Sequence, residues 1–83
     1  MACELVYTAK ARDDIAALDA VVRKRIGKKL LMLRADPLKV SRKLVHPAIG
    51  AYRCRAGDHR VVFDLEGRRI VVLRVGHRRE IYR

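Results

Sequence analysis

A chain of 83 residues holds one domain, so a catalytic unit with a separate regulatory unit is excluded. With 20 Lys+Arg against 9 Asp+Glu the formal charge is +11 and the pI about 10.7, while 51% of the residues are hydrophobic, too many for a disordered basic tail. Such a surplus repels itself in a small domain, and an anionic partner is the first expectation, nucleic acid ahead of acidic protein or membrane surface. The charge is lopsided: residues 1–38 carry 8 basic and 5 acidic side chains, residues 39–83 carry 12 and 4. The second half is where an anion is expected to dock. Cys3 and Cys54 have no partners at metal-ligand spacing, so neither a zinc site nor a cofactor is expected. No apolar run is long enough to span a bilayer and no leader is legible, which reads as a cytoplasmic chain with reduced thiols.

In chain order, Leu5 to Thr8 has the β-branched and aromatic content of a short strand, and Thr8 can cap a helix after it. Ile15, Leu18, Val22, Ile26, Leu30 and Leu33 recur three or four apart, one apolar face of a helix or helical hairpin. Asp19 is placed to cap a second helix, and Asp36-Pro37 to end it, because the residue before proline is pushed out of the helical region. Gly27 lies inside that pattern at a cost of about 1 kcal/mol relative to alanine. Arg23, Lys24, Arg25, Lys28 and Lys29 make the opposite face basic; a solvated surface and an RNA or partner contact both fit it. Residues 37–50, with two prolines and a glycine, read as a connection carrying the loop histidine His46.

From Ala51 the period becomes two. Gly57-Asp58 fits a two-residue hairpin turn with glycine first. That turn sets a register in which Ala56 faces His59, Arg55 faces Arg60, Cys54 faces Val61, Arg53 faces Val62 and Tyr52 faces Phe63. Since opposed residues share a face, Tyr52, Cys54, Val61 and Phe63 form the core side, and Arg53, Arg55 and Arg60 gather on the other. Opposed like charges are unfavourable, which makes most sense if an anion visits; neutralisation by Asp58, Asp64 and Glu66 is the alternative. Glu66-Gly67-Arg68 is a second turn, and Ile70 to Leu73 has the apolar character of a central strand, interrupted by Arg74. The order strand, two helices, three strands predicts an α+β domain spanning 1–83, a small antiparallel sheet packed on a helical hairpin.

The last residues concentrate ionisable groups: His77, Arg78, Arg79, Glu80, Tyr82 and Arg83. Cleavage of RNA by its own 2′-hydroxyl needs a base for that hydroxyl, cations for the charge on phosphorus and an acid for the departing 5′-oxygen. Arginine grips phosphate with two parallel hydrogen bonds and stays charged, histidine exchanges protons near neutrality, and tyrosine becomes a base only among dense cations. The other readings of these residues are plainer: Tyr82 beside Ile81 as a packing residue, Glu80 as a salt-bridge partner of Arg78 or Arg79.

The stretch from Tyr52 to Phe63, with Arg74-Val75-Gly76-His77-Arg78-Arg79-Glu80-Ile81-Tyr82 after it, resembles the RelE-type toxins of the RelE/ParE superfamily, and the strand and helices upstream extend the likeness over essentially the whole chain. The resemblance implies the toxin of a type II toxin–antitoxin pair, a metal-independent endoribonuclease that enters the ribosomal A site and cuts mRNA to a 2′,3′-cyclic phosphate and a 5′-hydroxyl. It implies that Arg60 holds the scissile phosphate, that Arg78 is a second catalytic arginine and that Tyr82 is the general base. It places Arg53 and Arg55 where relatives bind RNA with lysine or arginine. Arg79, Lys24 and Lys28 are further expected RNA contacts. His77 stands where some relatives use lysine, so histidine and tyrosine both remain open as the group that moves the proton. The partners implied are mRNA, the ribosome and an acidic, partly disordered antitoxin held in a hetero-oligomer, with no membrane. A gyrase-binding ParE-like protein without nuclease chemistry, and a degenerate member that keeps only antitoxin binding and operator regulation, are the alternatives.

Overall fold

A computed structural model describes residues 3–37, 42–43 and 52–77. Its elements are β1 (Glu4–Tyr7), α1 (Ala9–Ala16), α2 (Ala20–Ala35), β2 (Arg42–Lys43), β3 (Tyr52–Ala56), β4 (His59–Glu66) and β5 (Arg69–His77). The expected α+β architecture is present. Two differences lie in the sheet, whose five strands are ordered β1-β5-β4-β3-β2. Neighbours from β2 to β5 are antiparallel, but β1 runs parallel to β5, Glu4 opposite Arg69 and Tyr7 opposite Val72. A helical hairpin returns the chain to the far edge of the sheet, where a strand of either direction satisfies the same backbone groups, and nothing local to residues 5–8 encodes which. The connection read over 37–50 also contributes β2, with Arg42 opposite Arg53.

Thr8 and Asp19 are the residues before the two helices. The Thr8 hydroxyl accepts a hydrogen bond from the Ala11 N–H at 3.1 Å, as expected of a cap; Asp19 makes no such bond. Asp36 is extended and stops α2, as the following proline requires. Arg23 donates to the carbonyls of Ala16 (3.3 Å) and Leu18 (2.9 Å), tying the second helix to the end of the first.

The expected apolar stripe meets the sheet: Ile26, Leu30 and Leu33 are buried, and Ile15, Leu18 and Val22 pack against the same cluster. From the strands come Cys54, Ala56, Val61, Phe63, Ile70, Val72 and Val75. Tyr52 stacks on Phe63 with ring centres 5.6 Å apart. Between β1, α1 and α2 a groove of about 560 Å³ is lined by Tyr7, Ile15, Ile26 and Leu30, with Arg12 and Arg23 beside them and Gly27 in its wall.

An arginine row on the open face of the sheet

The β3–β4 turn brings the arginines together. Gly57 has φ +65°, the left-handed conformation glycine adopts without cost, and Asp58 does not, which is the pattern of a two-residue hairpin with glycine first. The observed register is the expected one at every pair, including Arg55 opposite Arg60 and Arg53 opposite Val62. Cys54 (1% exposed), Val61 and Phe63 (both 0%) lie under the helices, so Arg53, Arg55 and Arg60 share the face away from both described helices. On β5 the residue opposite Arg60 is Gly76. A transverse row therefore reads Arg55, Arg60, Gly76: two guanidinium groups and a position with no side chain. A glycine inside a strand often marks a bulge or a place where another group approaches the backbone closely.

The neighbouring row reads Arg42, Arg53, Val62, Arg74 from β2 to β5. Val62 is 0% exposed although it lies on the open face, outside the helix-side core cluster. Two cations roughly 6 Å apart in water repel by about 0.7 kcal/mol, small enough for the fold to carry and large enough for a bound phosphate to relieve. Asp64 stands on the same face four residues beyond Arg60, about 13 Å along the strand.

The alternation along β5 is broken once. Ile70 and Val72 face the core two apart, yet the next core residue is Val75, three further on. The register explains it: Phe63 pairs with Val72 and Val62 with Arg74, so Leu73 is an extra, bulged residue. Without it Arg74 and Gly76 would both point into the core. Two residues of the α1 region, its cap Thr8 and Asp14, hold this place. The Thr8 hydroxyl donates to the Leu73 carbonyl (3.1 Å), and its backbone N–H donates to that of Val72 (3.1 Å). The Asp14 carboxylate accepts from Arg74 Nε at 2.8 Å and from the Val75 N–H at 3.0 Å.

Of the residues singled out from the sequence, the fold thus assembles Arg53, Arg55 and Arg60. His77 falls elsewhere: it is paired with His59, on the helix side of the sheet, and the two rings meet edge to face with centres 5.6 Å apart. Lys24 and Lys28 are exposed on α2, also across the sheet from the arginine row. Arg78, Arg79 and Tyr82 lie outside the described residues, as do Glu80 and His46. Burial pushes the Cys54 thiol above its ordinary value, partly offset by the Lys29 ammonium, so it is a core residue and no nucleophile. The sequence reading missed Asp14 and the role of Gly76. Glycine within a strand pattern was a usable signal for Gly76; nothing in Asp13-Asp14 distinguishes the second carboxylate from a solvated one.

Comparison with known proteins follows the same outline. A family model described as ParE toxin of type II toxin-antitoxin system, parDE, matches residues 5–82. Toxin RelG of Mycobacterium tuberculosis (strain ATCC 25618 / H37Rv) is 34% identical over 84 residues, covering 93% of this chain and 92% of that protein. Among solved structures, the RelBE2 toxin–antitoxin complex from M. tuberculosis aligns with a TM-score of 0.84 at 25% identity, over 94% of this chain and 100% of that one. The intact E. coli RelBE complex aligns with a TM-score of 0.75 at 22% identity, over 92% and 96%.

Proposed function

The chain belongs to the ParE/RelE family of type II toxin–antitoxin toxins, and we propose that it acts as a ribosome-dependent endoribonuclease on mRNA. The observation that carries this reading is the Arg55–Arg60–Gly76 row of the sheet, two arginines opposed across β3 and β4 with a glycine next to them on β5.

In this mechanism the scissile phosphate sits on that row. Arg60 and Arg55 donate to its non-bridging oxygens and stabilise the charge that builds there as phosphorus becomes five-coordinate. The RNA 2′-oxygen attacks phosphorus and gives its proton to a base; the bond from phosphorus to the 5′-oxygen breaks, and that oxygen takes up a proton. The products are a 2′,3′-cyclic phosphate and a 5′-hydroxyl. Two groups compete for the base. The His77 ring lies on the far side of the sheet from Arg60, which favours Tyr82, whose phenol needs the surrounding arginines to lose its proton near neutrality. Arg78 serves as the further cation. Arg53, Arg79, Lys24 and Lys28 bind RNA more widely, through contacts that weaken as salt rises.

The partner in the cytoplasm is an acidic antitoxin. Both solved relatives above are complexes of toxin with antitoxin. The groove beside Gly27, apolar with Arg12 and Arg23 beside it, suits an amphipathic acidic segment by charge and shape. The second reading, a gyrase-binding protein without nuclease chemistry, draws on the ParE description of the matching family. Mapping mRNA ends on programmed ribosomes, beside a gyrase supercoiling assay, separates them. New 5′-hydroxyl ends that disappear in Arg60→Ala establish cleavage; full-length mRNA with inhibited supercoiling establishes the rival. Full-length mRNA without gyrase inhibition leaves antitoxin binding as the retained activity.

A further inference from the structure

The bulge at Leu73 decides what stands beside Arg60. The pleat alternates strictly, so one extra residue exchanges the faces of everything beyond it. With the bulge, Val75 completes the core and Gly76 faces the arginine side; without it, Val75 and His77 would occupy the arginine face and Arg74 and Gly76 would turn inward. An extra residue in a strand is not self-locating and can slide along the ladder unless a neighbour fixes it. Beyond Tyr7 the β1 strand no longer covers this edge of β5, since its last pair is Tyr7 with Val72.

Asp14 occupies that uncovered edge. One carboxylate oxygen accepts from both the Val75 N–H (3.0 Å) and Arg74 Nε (2.8 Å), and the other lies 3.4 Å from the second Arg74 nitrogen. The pair is mostly shielded, with side chains 22% and 18% exposed. Both residues after the bulge are thus held by one group on α1, while Thr8 holds the carbonyl of the bulged residue itself. The same contact draws the Arg74 guanidinium to Asp14, away from a row where it would otherwise join Arg53.

We propose that Asp14 is a positioning residue: by taking the Val75 N–H and the Arg74 guanidinium together it fixes the Leu73 bulge, and so sets Gly76, rather than Val75, opposite Arg60. Its consequence for cleavage rests on the ribonuclease reading; its consequence for register does not. Two measurements on the full chain test it separately. In the wild-type protein, a scalar coupling through the hydrogen bond from the Val75 amide nitrogen to the Asp14 carboxylate carbon is expected, along with a cross-strand Overhauser contact between Arg60 and Gly76. In Asp14→Ala that contact weakens and an Arg60 to Val75 contact replaces it. Turnover on programmed ribosomes falls about 10- to 100-fold, with KM within about twofold. Asp14→Asn keeps an acceptor oxygen for the Val75 N–H and is expected to restore the Arg60–Gly76 contact and most of the turnover, which a general loss of stability would not do. A folded Asp14→Ala that retains the contact overturns the proposal whatever its turnover. Should Asp14→Ala fail to fold, absence of the wild-type coupling overturns it and its presence, with the contact restored in Asp14→Asn, sustains it. A wild-type protein that cleaves nothing defeats the ribonuclease reading and leaves the register test standing.

Discussion

The two faces of the sheet are built from the same strands, residue by residue in alternation, and they do opposite things with charge. Under the helices, Cys54, Val61, Phe63, Ile70, Val72 and Val75 form a dry layer at 0–1% exposure. On the open face the alternate residues Arg53, Arg55 and Arg60 crowd like charges, with the buried Val62 between arginine positions. The first face meets the demands of folding by excluding water; the second carries the arginines that the proposed cleavage sets against a phosphate. A protein of +11 needs the first face to hold the second together.

Substitutions on the two faces should therefore separate stability from activity. The largest effect is expected of Phe63→Ala, which removes a fully buried ring and costs about 3–5 kcal/mol in urea titrations. That is enough to unfold most of a marginal domain. Arg60→Ala should not lower the unfolding midpoint, since it too relieves the opposition to Arg55, while lowering the cleavage rate on programmed ribosomes about 100-fold, or about 2.7 kcal/mol of transition-state stabilisation. Gly27→Ala lies on the helix side: a Cβ there meets nothing within 4 Å, so about 1 kcal/mol of stability should be gained by calorimetry. Gly27→Leu fills the groove, and its affinity for the antitoxin, measured by titration calorimetry, should fall while cleavage persists. Arg55→Gln relieves its opposition to Arg60 and should stabilise the fold by about 0.5 kcal/mol, more at low salt, while slowing cleavage. The smallest effect belongs to alkali. The folded-state value of the Cys54 thiol lies above its ordinary 9.0, so the stability linked to it is held below that pH and lost as pH rises through the folded value. Cys54→Val should lack that part of the loss in unfolding measured against pH.

The arginine row was legible because a two-residue turn with glycine first leaves the hairpin no freedom of register: Gly57-Asp58 alone places Arg55 opposite Arg60. The helical hairpin was legible for a similar reason, its apolar stripe and caps being local. The direction of β1 was not, since it depends on a strand 65 positions away in sequence, Leu5 with Ile70. The bulge escaped because Ile70 to Leu73 is apolar at every position and offers no alternation to break; only Val75 inside and Arg74 outside reveal it. Asp14 escaped with it, since its role exists only once β5 lies beside α1. His77 came from its proton chemistry and the resemblance, while its place on the helix side follows from the Leu73 bulge, which no local pattern announced.

The parallel pairing of β1 with β5 also sets an order in time. β5 lies between β1 and β4, so β1, the first of the described strands made, has no neighbour until β5, the last of them, is synthesised. Contacts of such long sequence separation form late, after the closure entropy of the intervening chain has been overcome. The β3–β4 hairpin and the helices can form on the way, but Gly76 reaches Arg60 only when β5 docks. Until β5 docks, β1 has no neighbour in the sheet and the arginine row is without Gly76.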